Sequence, residues 1–147
     1  MLSNLATGVT VVAARDGERR SGLTANAVAS ISLSPPLLMA AVDHTSDTHT
    51  VIQRSGRFAV SILREEHESL SRRFASDELD KFDGIATLDG FTGAPILAES
   101  LAYLECKVVD ALTHGDHTIF IGEVLNLGEG DPGNPLLFFR SAYRKLR

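Results

Sequence analysis

Three hydroxyl side chains stand close together in the segment Asp43–Thr48, which reads DHTSDT. They are Thr45, Ser46 and Thr48. The segment precedes a short helix that we expect Thr45 or Ser46 to cap and that ends at Gly56, and the free N–H groups and positive dipole end of a helix start favour an anion. The pattern predicts a phosphate site, although helix capping explains the same hydroxyls. Asp47 opposes a phosphate dianion unless its carboxylate points away.

Small side chains fill the segment Gly22–Ser34, which reads GLTANAVASISLS. Short hydroxyl, amide and methyl groups would let a flat ligand approach the backbone closely enough to use its N–H and C=O groups. The composition therefore suits a planar polar ring. Close packing of strands in a barrel explains it equally well.

Two histidines flank a tight turn in His114–His117, which reads HGDH. Zinc normally takes three or four protein ligands, so we expect no metal site at this turn. His117 is either a ligand-contacting residue or an incidental histidine of a surface hairpin. Cys106 lies within an alternating strand pattern and is predicted to be a core residue rather than a nucleophile.

The composition limits the class of protein. The 147 residues, 44% hydrophobic and 22% charged, predict one globular domain spanning residues 1–147. The formal net charge of −5 argues against nucleic-acid binding. One cysteine and the lack of a signal or membrane-spanning pattern favour a cytoplasmic protein without membrane association. A Walker A loop, a GxGxxG motif between a strand and a helix, a GxSxG motif and a paired-cysteine zinc motif are absent from the sequence, which argues against most hydrolases and ATPases.

Strands dominate the predicted elements. A second helix is predicted at Glu65–Ala75 and a long loop with one or two short strands at Ser76–Ser100. Strands are predicted at Thr7–Ala14, Arg20–Ser34, Leu37–Val42, Arg57–Leu63, Leu101–Leu112, Thr118–Leu127 and Pro135–Phe139, with hairpin turns at 15–18 and 113–117. Many strands with two short helices favour a mainly β fold, a closed antiparallel barrel with helical decoration, over a parallel α/β sheet.

In their order along the chain, these segments resemble the blocks of the flavin reductase-like family, the small reductase components that supply reduced flavin to two-component monooxygenases. The resemblance covers nearly the whole chain. Its blocks are TGVTVVA at Thr7–Ala13, GLTANAVASISLSPPLLMAAVD at Gly22–Asp43, SDT at Ser46–Thr48, RFAVSIL at Arg57–Leu63, RRFA at Arg72–Ala75, GAPIL at Gly93–Leu97, LECKV at Leu104–Val108, GDHTIFIGEV at Gly115–Val124 and PLLFFRSAYRKL at Pro135–Leu146.

The resemblance implies a split β-barrel, a homodimer, FMN or FAD as the flavin, NADH or NADPH as the hydride donor, and a flavin-dependent monooxygenase as the acceptor of reduced flavin. It also implies roles for particular residues. The isoalloxazine ring would lie along Thr24, Ala25, Asn26 and Ala27, with Ser30 nearby. The phosphate would meet Thr45, Ser46 and Thr48, next to Asp43. Arg73 and Phe74 would close over the flavin, and His117 and Tyr143 would lie beside the nicotinamide.

This chemistry needs few acids and bases, because the hydride passes from nicotinamide C4 to flavin N5 while the protein holds the rings about 3–3.5 Å apart. The role expected for His117 is therefore orientation rather than proton transfer.

Two alternatives remain open. One is another split-barrel flavoprotein, such as a pyridoxamine phosphate oxidase-like protein or a flavin-binding sensor without turnover. The other is a non-enzymatic β-barrel interaction domain that binds no flavin.

Overall fold

A computed structural model describes residues 1–147, and antiparallel strands make up most of its regular structure, which confirms the mainly β prediction. No helix in it has the length and apolar character needed to cross a membrane. The strands are β1 (Thr7–Gly8), β2 (Thr10–Asp16), β3 (Arg19–Ala25), β4 (Val28–Leu33), β5 (Pro36–Asp43), β6 (Arg57–Ile62), β7 (Thr87–Leu88), β8 (Ile96–Leu97), β9 (Ala102–His114), β10 (His117–Glu129), β11 (Leu137–Phe139) and β12 (Ala142–Arg144). The helices are α1 (Asp47–Ser55) and α2 (Glu68–Phe74), with a 3₁₀ turn at Leu2–Asn4.

Seven strands form one antiparallel sheet in the order β3-β2-β6-β9-β10-β5-β4. Its longest ladder joins β9 and β10, from the pair His114 and His117 to the pair Ala102 and Glu129. Both predicted hairpins are confirmed, with Gly17 and Gly115 at positive φ (62° and 61°), a conformation that glycine adopts without a steric penalty.

The sheet is rolled but not closed, and its seam lies at Asn26 and Ala27. These two residues join β3 and β4, which lie at opposite edges of the sheet. Three Cα–Cα steps of about 3.8 Å span roughly 11 Å at most, so the two edges must come close together. No ladder of hydrogen bonds joins them, and the fold is a split barrel.

The expectations of a continuous strand at Arg20–Ser34 and of a closed barrel are therefore wrong. The hydrogen bonds that the backbone carbonyls accept on either side of the seam give the reason. The Ala25 carbonyl accepts from Thr10 Oγ1 (2.7 Å) on β2, whereas the Ala27 carbonyl accepts from the Ala41 N–H (3.0 Å) on β5. Consecutive parts of the segment thus bond to opposite edges of the sheet instead of continuing as one strand.

Two hydrophobic clusters lie on the two sides of β2, which explains why Thr10–Ala14 is buried without alternation. The first fills the rolled sheet and includes Phe58 and Phe120 together with Val51 and Ile52 of α1. Cys106 packs in this cluster, and burial raises the pKa of its thiol to about 12. The second cluster includes Phe74 of α2, Phe82, Leu63 and Leu136. The two helices therefore cover opposite sides of the same strand, β2.

Helix α2 is shorter than predicted, and the chain end holds a strand that was not predicted. The residues before α2 pair elsewhere, since the Arg64 N–H donates to His67 Nδ1 (3.0 Å) and the Glu65 N–H to the Asn134 carbonyl (2.9 Å). Strand β12 follows β11 through Arg140 and Ser141, both at positive φ (51° and 60°). Neither residue is one of the usual turn formers at such angles, so no residue pattern predicts a hairpin there.

Candidate functional site

A cleft of about 650 Å³ lies between β3, the start of α1 and the loop after α2. Its walls are residues 19–24, Asp43, residues 45–48, residues 74–79, Lys81 and Phe82. The predicted site residues that line it are Thr24, Asp43, Thr45, Ser46, Thr48 and Phe74. The cleft therefore brings together the predicted phosphate segment, one residue of the predicted ring segment and one residue of α2.

The start of α1 offers unpaired hydrogen-bond donors to the cleft. Ser46 is the N-cap, and its Oγ accepts from the His49 N–H (3.2 Å) and donates to the Asp43 carbonyl (2.8 Å). The N–H groups of Asp47 and Thr48 have no partner within the chain. The hydroxyls of Thr48 and Ser21 lie 2.8 Å apart, so one of their two protons is free for a ligand. Such a set of donors at a helix start binds anions.

The two carboxylates next to this helix start are each held by a partner. Asp47 Oδ1 lies 3.1 Å from Arg19 Nη2. The arginine cation balances the negative charge of Asp47, which would otherwise oppose a phosphate. Asp43 Oδ1 accepts from the Thr45 N–H and the Thr45 hydroxyl, both at 2.8 Å. These two hydrogen bonds lower the pKa of Asp43, which is therefore ionised at neutral pH.

Lys81 brings a positive charge to the opposite wall, and sequence reasoning missed it. Its ammonium donates to the carbonyls of Gly22 (3.2 Å) and Phe74 (3.0 Å). An ammonium has three protons, so one remains for a ligand. Burial lowers the pKa of Lys81. Lys81 lies in the long loop Ser76–Ser100, whose sequence has no periodic pattern to place its side chains.

The predicted ring segment is divided by the seam. Thr24 lines the cleft, and its hydroxyl donates to the Ser71 carbonyl (2.5 Å) of α2. Ala25 is buried in the first hydrophobic cluster. Asn26, Ala27 and Ser30 are exposed at the seam and on β4, outside the walls of the cleft.

The two predicted residues of α2 point in different directions. Phe74 is fully buried at the cleft wall, and its ring packs edge-on against Phe82 at a centroid distance of 4.9 Å. Arg73 does not line the cleft, because its guanidinium donates to the carbonyls of Lys81 and Asp83, both at 2.8 Å. Arg73 thus shapes the loop that carries Lys81 and Phe82.

Tyr143 also lies outside the cleft and contacts α2 from its other side. The Tyr143 hydroxyl is 2.6 Å from Ser71 Oγ, and its ring packs against Phe138 and under the Arg72 guanidinium. Because the Ser71 carbonyl accepts from Thr24, the chain end supports the helix residue that holds Thr24 at the cleft.

His117 lies at the rim of the cleft rather than in its wall. It is the first residue of β10 and faces Asp43 of β5 in the ladder. Its Nδ1 lies 2.8 Å from Asp116 Oδ1, and its side chain is 42% exposed. His114 pairs with it across the hairpin and is exposed. A molecule bound beside Asp43 would therefore come within reach of His117 from the solvent side.

Comparisons with known proteins agree on one family. The model of the "Flavin reductase like domain" matches residues 2–147. The reductase component of 4-hydroxyphenylacetate 3-monooxygenase from Thermus thermophilus is 40% identical over 145 residues, covering 99% of this chain and 92% of that protein. An NADH:riboflavin 5'-phosphate oxidoreductase from Streptomyces pristinaespiralis is 39% identical over 143 residues, 95% of this chain and 81% of that protein. The solved structure of the NADH:FAD oxidoreductase SgcE6 from Streptomyces globisporus, in complex with NAD and FAD fragments, superposes with a TM-score of 0.93 at 36% identity and covers 99% of this chain and 88% of that chain.

Proposed function

The chain belongs to the family of flavin reductase-like domains, and on that basis we propose that it is an NAD(P)H:flavin oxidoreductase that supplies reduced flavin to a partner monooxygenase. The observation that carries this function is the similarity of the whole chain to flavin reductases, together with a cleft that has anion-binding donors at one end. The substrates are FMN or FAD and NADH or NADPH. Residues 1–147 act as one reductase domain.

The flavin phosphate is assigned to the start of α1, at Thr45, Ser46 and Thr48. The free N–H groups of Asp47 and Thr48 support this assignment, as does the pairing of Asp47 with Arg19. Lys81 adds a cation to the same cleft. Backbone dipoles and charge-assisted hydrogen bonds would thus stabilise the phosphate dianion.

The isoalloxazine ring is assigned to the wall at Thr24 and Phe74, extending to the seam. Its further contacts in this proposal are Ala25, Asn26, Ala27 and Ser30. Asp43, which lines the cleft next to Thr45, is assigned to the same flavin site, and Arg73 acts by holding the loop that carries Lys81 and Phe82. His117 is assigned to the nicotinamide side, whereas Tyr143 acts from outside the cleft by supporting Ser71, whose carbonyl holds Thr24 at the wall.

When bound, the flavin accepts at N5 the hydride that the nicotinamide releases from C4. The chain itself supplies alignment. Walls made by β3 and Phe74 limit the ring to one plane, and His117 can donate a hydrogen bond to a nicotinamide amide from the rim. Because the hydride passes directly between the two rings, no side chain needs to transfer a proton to nicotinamide C4.

The working unit is proposed to be a homodimer. Phe120 and Val42 lie on the inner face of the sheet. The outer face carries apolar side chains on neighbouring strands, and these side chains belong to none of the hydrophobic clusters. They are Ile119 and Ile121 of β10, Met39 and Ala41 of β5, and Ala29 of β4. A sheet face of this character is typical of an interface, and its end at His117 and Asp43 reaches the rim of the cleft.

Steady-state assays test the function directly. The purified protein should oxidise NADH or NADPH when FMN or FAD is added, and the rate should exceed the non-enzymatic background for at least one of the four pairs. No rate with any pair would overturn the proposal. Flavin binding without turnover would then indicate a sensor, and no flavin binding an interaction domain.

The phosphate assignment has its own test in Ser46→Ala combined with Thr48→Ala. Removal of the two hydroxyls should weaken FMN binding by about 1–3 kcal/mol, because charge-assisted hydrogen bonds have roughly this size. Thr50→Ala, on the same helix but outside the cleft wall, is the control. An unchanged FMN affinity in the double variant would show that the hydroxyls only cap α1.

A further inference from the structure

Two histidines share one buried hydroxyl next to the proposed phosphate site. His44 Nε2 lies 2.9 Å and His49 Nε2 2.8 Å from Thr118 Oγ1, and Thr118 is 4% exposed. The two imidazole rings meet edge-on with a centroid distance of 5.1 Å. None of the three residues has a part in the function proposed above.

The shared hydroxyl can pair with both rings at once. A threonine hydroxyl has one proton and two lone pairs, so it can donate to one Nε2 atom and accept from the N–H of the other. Burial and the neighbouring His44 lower the pKa of His49, which favours the neutral ring.

This junction joins three parts of the site. His44 connects β5 to α1, and its N–H donates to the Asp116 carbonyl (3.0 Å) in the turn before β10. His49 is in the first turn of α1, where its N–H donates to the N-cap Ser46 (3.2 Å). Thr118 follows His117 on β10. One hydroxyl thereby ties the helix start to the strand that carries His117.

We infer that Thr118 is a positioning residue for the flavin phosphate, because its hydroxyl, held between His44 and His49, fixes the start of α1 against β10. The inference rests on the function proposed above. The side-chain ties from Thr48 to Ser21 and from Asp47 to Arg19 both reach β3, so they cannot replace a tie to β10. Loss of the Thr118 hydroxyl should therefore displace the anion-binding donors while the wall at Thr24 and Phe74 stays in place.

Riboflavin and FMN distinguish this role from a merely structural one, since riboflavin lacks the phosphate. Thr118→Val keeps the shape of the side chain and removes the hydroxyl. It should raise the dissociation constant of FMN about 5- to 30-fold, the effect of one lost buried hydrogen bond, and change that of riboflavin less than about twofold. Thr118→Ser should retain the wild-type preference for FMN. Quenching of flavin fluorescence measures both affinities, and the protein has no tryptophan to interfere.

A second variant keeps the test decisive if Thr118→Val does not fold. His49→Phe preserves an aromatic ring against Phe120 and removes the tie between α1 and Thr118, so the same selective loss of FMN affinity is expected. Equal losses for FMN and riboflavin, or no loss for either, would overturn the inference. A wild-type protein that reduces no flavin would instead refute the proposed function. Wild-type binding of FMN no tighter than riboflavin would refute the phosphate assignment and this inference together.

Discussion

Replacement of Glu105 by glutamine tests whether this buried carboxylate holds the loop before β8 as an anion. Glu105 is completely buried and has no cationic partner. Its Oε1 accepts from the N–H (2.8 Å) and hydroxyl (2.7 Å) of Thr92, and its Oε2 from the Phe91 N–H (2.9 Å) and Asn126 Nδ2 (2.7 Å). All four partners are donors, so the site fits a group that only accepts.

A glutamine at this position cannot satisfy all four donors. With the new amide nitrogen in the place of Oε2, Asn126 can rotate its own amide and accept, but the Phe91 N–H then faces another donor. One buried unpaired N–H costs about 1–3 kcal/mol, and the remaining hydrogen bonds lose the strengthening given by the charge. Glu105→Gln should therefore lower the free energy of unfolding by about 2–4 kcal/mol.

The destabilisation caused by Glu105→Gln should depend on pH in a defined direction. Burial by itself raises the pKa of Glu105, but the hydrogen bonds from Asn126, Thr92 and Phe91 together outweigh burial and hold the pKa below 4.5. A carboxyl group with a lower pKa in the folded state stabilises the fold above its unfolded pKa, and this stabilisation is lost as the pH falls through the folded value. The difference in the free energy of unfolding between wild type and Glu105→Gln should have its full size at neutral pH and should decrease in acid below pH 4.5.

Urea unfolding, followed by circular dichroism at neutral pH and at about pH 4, measures this difference. Glu129→Gln is the matched control, because Glu129 is exposed on the same pair of strands. Stability of Glu105→Gln within about 0.5 kcal/mol of the wild type would refute the reasoning. A loss of the same size at both pH values would show that the carboxylate charge has no part in it.

Three further predictions concern the rim, the outer sheet face and the chain end. His117→Ala should lower kcat/KM for NAD(P)H about 5- to 150-fold and leave the affinity for oxidised flavin unchanged, with His114→Ala as the control; equal losses in steady-state kinetics of both variants would indicate damage to the hairpin instead. Ile119→Asp should convert the dimer to a monomer in sedimentation velocity while Glu129→Gln remains dimeric, and a wild-type protein that sediments as a fully active monomer would contradict the dimer proposal. Arg140→Asn combined with Ser141→Gly should raise the free energy of unfolding by about 1 kcal/mol, because both positions have positive φ, and a lower melting temperature would count against this explanation.

Local signals in the sequence were sufficient for much of the fold. Helix α1 has its N-cap at Ser46, and Gly56 follows in the left-handed conformation (φ 70°), as the residue types predict. Alternation of apolar residues located β6, and the residues flanking Gly17 and Gly115 located two hairpins. Each of these features depends on neighbours within a few positions in the chain.

The remaining features depend on contacts between distant segments. The seam at Asn26 and Ala27 exists because the carbonyls of Ala25 and Ala27 bond to β2 and β5, which are distant in sequence. Lys81 reaches the cleft because the carbonyls of Gly22 and Phe74 hold its ammonium. Arg73 matches a family block in the sequence, yet its direction is decided by the carbonyls of a loop without periodicity.

An anaerobic single-turnover experiment tests the central claim most directly. Oxidised FMN or FAD is mixed with NADH or NADPH in the presence and absence of the protein, and the visible absorbance of the oxidised flavin is followed. We expect the protein to accelerate the bleaching of the flavin, and deuterium at the transferred position of nicotinamide C4 to slow this step. Bleaching at the same rate with and without folded protein, for every pair of flavin and nicotinamide, would contradict the proposed reductase function.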